Sequence, residues 1–118
     1  MPVVRIRALP QPSADLGAVA SAVATALAAE LGEDPRGTWA TWQTVEAYAE
    51  GGVGAVEQPR DTHPPLVTVI ARARPPETIA GMLRCVGDTL VQELGLEPGN
   101  VFVTFEEAAP GRLYDASG

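Results

Sequence analysis

Lysine is absent from this 118-residue chain, cysteine and histidine occur once each, and aromatic residues make up only 5% of it. Each shortage excludes something. A lone cysteine, Cys85, forms no internal disulfide, and a lone histidine, His63, cannot build a His-based metal site. The sequence therefore leads us to expect no metal site. Eight arginines face fifteen acidic residues, and the net charge of −7 lacks the basic footprint that binding to nucleic acid requires. Long apolar runs are missing too. The longest, Ala18 to Ala29, is broken by Ser21 and Thr25 and is too short to span a bilayer, so no membrane partner is expected. The N-terminus, Met-Pro-Val-Val-Arg-Ile-Arg, reads as a strand and not as a secretory leader, which makes a cytoplasmic location the expectation.

What the chain does have is apolar content, at 46%, and length enough for one domain, residues 1–118, with a real core. It also has an internal repeat. The segment 2–55 lies on 65–118 without a gap. Pro2 falls on Pro65, Ala8 on Ala71, Pro12 on Pro75, Val23 on Val86, Leu27 on Leu90 and Thr41 on Thr104. Trp39 and Trp42 fall on Phe102 and Phe105, so aromatic positions are kept as well.

Each pseudo-repeat reads as strand–helix–strand. The opening strands, Val3 to Leu9 and Leu66 to Arg72, are rich in β-branched residues, and prolines follow both. Apolar residues at helical spacing predict helices from Ala14 to Leu31, with Ser13 as N-cap, and from Pro76 to Leu94. Gly32 and Gly95 stand at their C-terminal caps. The closing strands are Thr38 to Val45 and Val101 to Glu106, followed by Gly-rich segments around Gly51-Gly52 and Gly111 that read as hairpins or arms. A strand–helix–strand crossover makes its two strands parallel. The expected fold is α+β: two tandem β-α-β units in a four-stranded mixed sheet, with both helices on one face. A bare second face calls for a homo-oligomer to cover it.

A duplicated unit of this length beginning Met-Pro resembles the tautomerase superfamily. That group includes 4-oxalocrotonate tautomerase, macrophage migration inhibitory factor, malonate semialdehyde decarboxylase and cis-3-chloroacrylic acid dehalogenase. The resemblance implies a homotrimeric, cofactor-independent isomerase whose catalytic residue is Pro2, exposed as the N-terminus once Met1 is removed. The chemistry is consistent with that. A free α-amino group titrates at about 7.7–8.0, and burial lowers that value toward a base suited to proton abstraction beside a carbonyl. Pro65, at the equivalent position, has only an amide nitrogen.

Arg72 and Arg74 resemble the arginine pair that the decarboxylase and the dehalogenases carry at this strand. Two apart, they are expected to point the same way and to hold a small carboxylate substrate. Phe102 and Thr104 lie on the closing strand where the family places pocket residues. Arg112, with Tyr114, is expected either in an arm that closes over a neighbour's site or in a disordered tail. Arg5 and Arg7 are assigned to the inner face of a trimer, Cys85 to a half-buried helix position and His63 to a solvated loop. Departures narrow the chemistry. The dehalogenases' water-activating Tyr and Glu align with Thr104 and Ala109. The decarboxylase's Asp falls near Gly37, with Asp34 too early. The second-strand arginine of 4-oxalocrotonate tautomerase is replaced by Trp39 or Ala40. The first expectation is therefore proton transfer on a 2-oxo or enol acid. A decarboxylase or hydratase with protonated Pro2, and a non-catalytic binding or structural trimer, are the alternatives.

Overall fold

In the computed structural model, which describes residues 1–55, 57 and 63–112, the elements follow the expected order. They are β1 (Val3–Ala8), α1 (Leu16–Leu31), a 3-10 turn (Pro35–Gly37), β2 (Trp39–Thr44), β3 (Tyr48–Glu50), β4 (Val53–Ala55), β5 (Leu66–Ala71), α2 (Pro76–Leu94) and β6 (Phe102–Glu107). The main sheet runs β2-β1-β5-β6. β1 pairs parallel with β2, β5 pairs parallel with β6, and the central β1–β5 pair is antiparallel, with Val4 opposite Val69. This is the expected α+β mixed sheet, with α1 and α2 packed together over one face.

The side chains sort by strand parity. Val4 and Ile6 of β1 and Val67 and Val69 of β5 turn inward and join Val19, Val23 and Leu27 of α1 and Met82, Val86 and Leu90 of α2 in one core. Each of those α1 positions lies one repeat before its α2 counterpart. Hydrogen bonds recur at the same interval. Trp39 N–H donates to the Pro2 carbonyl and Phe102 N–H to that of Pro65, both at 3.0 Å. Val45 donates to Ala8 at 2.9 Å, and Ala108 to Ala71 at 2.7 Å. The helices end alike, on Gly32 at φ 65° and Gly95 at φ 64°. That left-handed conformation suits a residue without a Cβ.

The helices begin differently. Asp15, and not Ser13, caps α1: its carboxylate accepts the Ala18 N–H at 3.1 Å, while Ser13 lies in the turn that Ala14 N–H closes onto the Gln11 carbonyl. At α2 the cap position is Pro75, which offers no side-chain bond. β3 and β4 form a tight hairpin whose tip, Gly51-Gly52, has φ of 56° and 88°. Two successive positive φ values are what a type I′ turn needs, and glycine meets both without strain.

The face away from the helices carries three cross-strand rows. Trp39, Val3, Ile70 and Glu106 form the first; Thr41, Arg5, Thr68 and Thr104 the second; Gln43, Arg7, Leu66 and Phe102 the third. Trp39, Leu66 and Phe102 are among the large apolar side chains the fold leaves exposed, at 46%, 43% and 57%. Their inward counterparts Trp42 and Phe105 pack against the core.

Candidate functional site

Pro2 opens the central strand β1 and is fully buried. Its carbonyl holds the Trp39 N–H, so the register continues one step beyond the strand and sets Pro2 beside Thr38. On its other flank, the antiparallel register sets it beside Ala71, the last residue of β5. The connection from β5 to α2, carrying Arg72 and Arg74, therefore leaves the sheet at the Pro2 end. β6 finishes there too, with Ala108 bonded to Ala71 and Arg112 closing a turn onto the Ala109 carbonyl at 2.9 Å.

The two arginines do not behave as a strand pair. Alternation holds only within a strand, and β5 stops at Ala71. Arg72 is exposed, whereas Arg74 turns toward the helix layer, where its Nη1 meets Glu33 Oε2 at 3.3 Å with the side chain only 18% exposed. Two buried polar side-chain atoms among the described residues have no hydrogen-bond partner, Arg74 Nε and Thr38 Oγ1. Both belong to this end of the sheet. Sequence reasoning misses Thr38, although the parallel pairing of β1 with β2 is enough to place it beside Pro2.

Phe102 and Thr104 lie elsewhere. Thr104 sits in the middle row, its hydroxyl 3.4 Å from the Val67 carbonyl. Phe102 shares a row with Arg7, at the far end of β1 from Pro2, or about 16 Å at ~3.3 Å per residue. Within one protomer it cannot wall a Pro2 pocket. Tyr114 lies outside the described residues.

A cavity of about 590 Å³ lies at that far end, lined by Arg7, Val45, Tyr48, Glu50, Leu66 and Phe102 among others. Tyr48 and Glu50 in its wall are hydrogen-bonded. The Tyr48 hydroxyl donates to the Pro64 carbonyl at 2.7 Å, and burial, reinforced by the Glu50 carboxylate, pushes that phenol above its ordinary range, keeping it a donor. His63 is not a solvated loop residue: it is 3% exposed, because the β3–β4 hairpin folds against it. Its backbone N–H donates to Glu50 Oε2 at 2.8 Å, its Nε2 lies 2.6 Å from the Val53 carbonyl, and its ring stands edge-on to Tyr48. Cavity and Pro2 thus occupy opposite ends of the sheet. Cys85 is half-buried, and burial with Glu30 nearby raises its thiol above the ordinary value, which makes it a poor nucleophile.

No protein-family model and no curated protein matches the sequence. Solved structures match the fold. A fused 4-OT, determined as a wild-type symmetric trimer, superposes with a TM-score of 0.80 at 18% identity, covering 98% of this chain and 93% of its own. The chain has the tautomerase-superfamily fold. A macrophage migration inhibitory factor-like protein from Entamoeba histolytica shares it at TM-score 0.74 and 16% identity, over 97% of this chain and 95% of the other. So does malonate semialdehyde decarboxylase, a protein with decarboxylase and hydratase activities, at TM-score 0.70 and 18% identity, over 95% and 88%. Proteins with this fold include several enzymes, and among the described residues of this chain no helix is long and apolar enough to cross a membrane.

Proposed function

We propose that this protein is a cofactor-independent tautomerase or isomerase in which Pro2, freed of Met1, is the general base for keto–enol or allylic proton transfer on a small 2-oxo or enol acid. The observation that carries this reading is the position of Pro2, buried immediately before a central strand in a fold shared with tautomerases. A secondary amine held there favours its neutral form, and a neutral amine takes a proton. Arg72 and Arg112, at the same end of the sheet, supply the cationic side for a carboxylate or developing enolate. Arg74, tied to Glu33, serves this less directly.

The reading takes 2–55 and 65–118 as two copies of one unit in a single domain, supported by hydrogen bonds and core positions that recur at the repeat offset. It also takes the working form as a homotrimer in the cytoplasm. A fused 4-OT of this fold is a symmetric trimer, and Trp39, Leu66 and Phe102 leave an apolar face to cover. In such an assembly Phe102 and Thr104 reach a Pro2 of another protomer.

Intact mass should show a chain lacking Met1. Pro2→Ala should then lower ketonisation of phenylenolpyruvate or 2-hydroxymuconate by about 10²–10⁴-fold, the usual contribution of a general base, while Pro65→Ala leaves it within a few-fold. Unchanged turnover in Pro2→Ala sinks the assignment. The likeness to malonate semialdehyde decarboxylase favours one second reading, decarboxylation or hydration with Pro2 protonated. A pH–rate profile separates the two, since activity that rises as Pro2 loses its proton marks a base and activity that falls marks an acid.

A further inference from the structure

The geometry points to Thr38 as the positioning residue for Pro2, its hydroxyl hydrogen-bonding the proline nitrogen once Met1 has been removed; this rests on the reading of Pro2 as a free amine. Thr38 is 6% exposed, and its Oγ1 has no partner. A buried hydroxyl without a partner is uncommon and calls for a cause. Here the cause is covalent. While Met1 is attached, the Pro2 nitrogen is a tertiary amide with neither a hydrogen nor a usable lone pair, so a hydroxyl beside it finds nothing to bond. Removing Met1 turns the same atom into a secondary amine that accepts when neutral and donates when charged. A hydroxyl matches both states, because it is donor and acceptor at once.

The placement follows from the register. Trp39 N–H bonds the Pro2 carbonyl at 3.0 Å, and Trp39 pairs with Val3, so Thr38 is the residue beside Pro2. Trp39 and Val3 share the open face, which puts Thr38 and Pro2 together on the covered side, and both are buried there. Thr38 is held from the other direction too: it caps the Pro35–Gly37 turn, donating its N–H to the Pro35 carbonyl at 3.1 Å in extended backbone. Its counterpart in the second repeat is Val101, so the hydroxyl occurs only beside the proline that can become an amine.

Charged groups at this end come from several elements: Arg72 and Arg74 from the β5–α2 connection, Glu33 after α1, Glu106 and Glu107 of β6, and the Asp34–Arg36 pair before Thr38. Substituting Thr38 leaves all of them in place, so a change in Pro2 titration reports on the hydroxyl. The experiment is an NMR titration of the Pro2 nitrogen in the wild type, Thr38→Val and Thr38→Ser, each shown by intact mass to lack Met1. Hydrogen bonds to the charged amine are the stronger ones. Thr38→Val should therefore move the titration down by about half to one pH unit, a net hydrogen bond's worth, whereas Thr38→Ser titrates with the wild type. Valine keeps the shape and suits extended backbone, as Val101 does at the equivalent position, so folding is not at risk, and Thr38→Ser guards the result. Thr38→Val titrating with the wild type overturns this role and leaves Pro2 as base untouched. Met1 found on the wild-type chain overturns both.

Discussion

The two ends of the sheet are built on the same backbone and finished differently. At each end a buried proline precedes a central strand, and its carbonyl holds the first N–H of the neighbouring strand at 3.0 Å. At the Pro65 end Tyr48 pairs with the Pro64 carbonyl and His63 with Glu50 and Val53. Of the equivalent positions there, Val101 stands for Thr38 and buried Leu9 for Arg72, while half-buried Gln11 stands for Arg74. At the Pro2 end, Thr38 Oγ1 and Arg74 Nε lack partners. Among the described residues, the buried side-chain atoms without a partner thus both lie at the Pro2 end, which is what the proposed site there would account for. The architecture is symmetric; the pairing of its polar atoms is not.

If the scaffold is symmetric, equivalent core truncations must cost alike. Leu27 in α1 and Leu90 in α2 are both fully buried in the shared core. Leu27→Ala and Leu90→Ala should each destabilise by about 2–5 kcal/mol, measured by urea unfolding at fixed protein concentration, since an oligomer's stability depends on it. A loss at one site more than about 2 kcal/mol greater than at the other would break the comparison.

Helix starts sharpen it, because there the halves diverge. Asp15 caps α1 through its carboxylate, and α2 has no equivalent bond. Asp15→Ala should cost about 1 kcal/mol and Asp15→Asn much less, because asparagine also caps well. Thermal unfolding of the pair checks this; equal losses would mean that the bond to Ala18 is not what stabilises the start of α1.

The internal repeat makes the core legible in the sequence, since Val19, Val23 and Leu27 select Met82, Val86 and Leu90 by offset alone. The parallel pairing within each repeat and the open face follow from the crossover rule; the antiparallel meeting of β1 and β5 at the centre does not. Local geometry is less legible, for reasons particular to each residue. Arg72 and Arg74 read as a matched pair only when alternation is carried past Ala71, where the strand ends. His63 reads as solvated because its burial depends on a hairpin well upstream, a contact no local pattern encodes. Family likeness groups Phe102 with Pro2, and the register places it at the far end of its own protomer. Thr38 escapes a reading of the sequence because an isolated threonine has no signature. Only its pairing with Pro2 makes it notable.

The smallest effect belongs to the turn that leads into Thr38. Asp34 accepts the Arg36 N–H at 2.9 Å and pairs with its guanidinium, also at 2.9 Å, in a contact that is largely exposed. The bonds from Arg36, side chain first, hold the Asp34 carboxyl below its usual range. A depressed folded-state pKa contributes stability above the unfolded value of about 3.9, and that contribution is lost as pH falls through the folded one. Yet the turn does not depend on it. Gly37 N–H closes onto the Asp34 carbonyl at 2.9 Å, and at the equivalent bend of the second repeat Asn100 N–H closes onto Glu97 at 3.0 Å. The backbone forms the bend in both halves, and the side-chain pair is an addition in one. Asp34→Asn should therefore lower Tm only slightly at pH 7, and the difference should shrink in high salt, which screens exposed charges. It should vanish once the medium is acidic enough to protonate Asp34 in the folded chain. A large loss at pH 7 that persists in salt would mean that this turn is held by its side chains, and that the two halves are less alike at their bends than their hydrogen bonds make them.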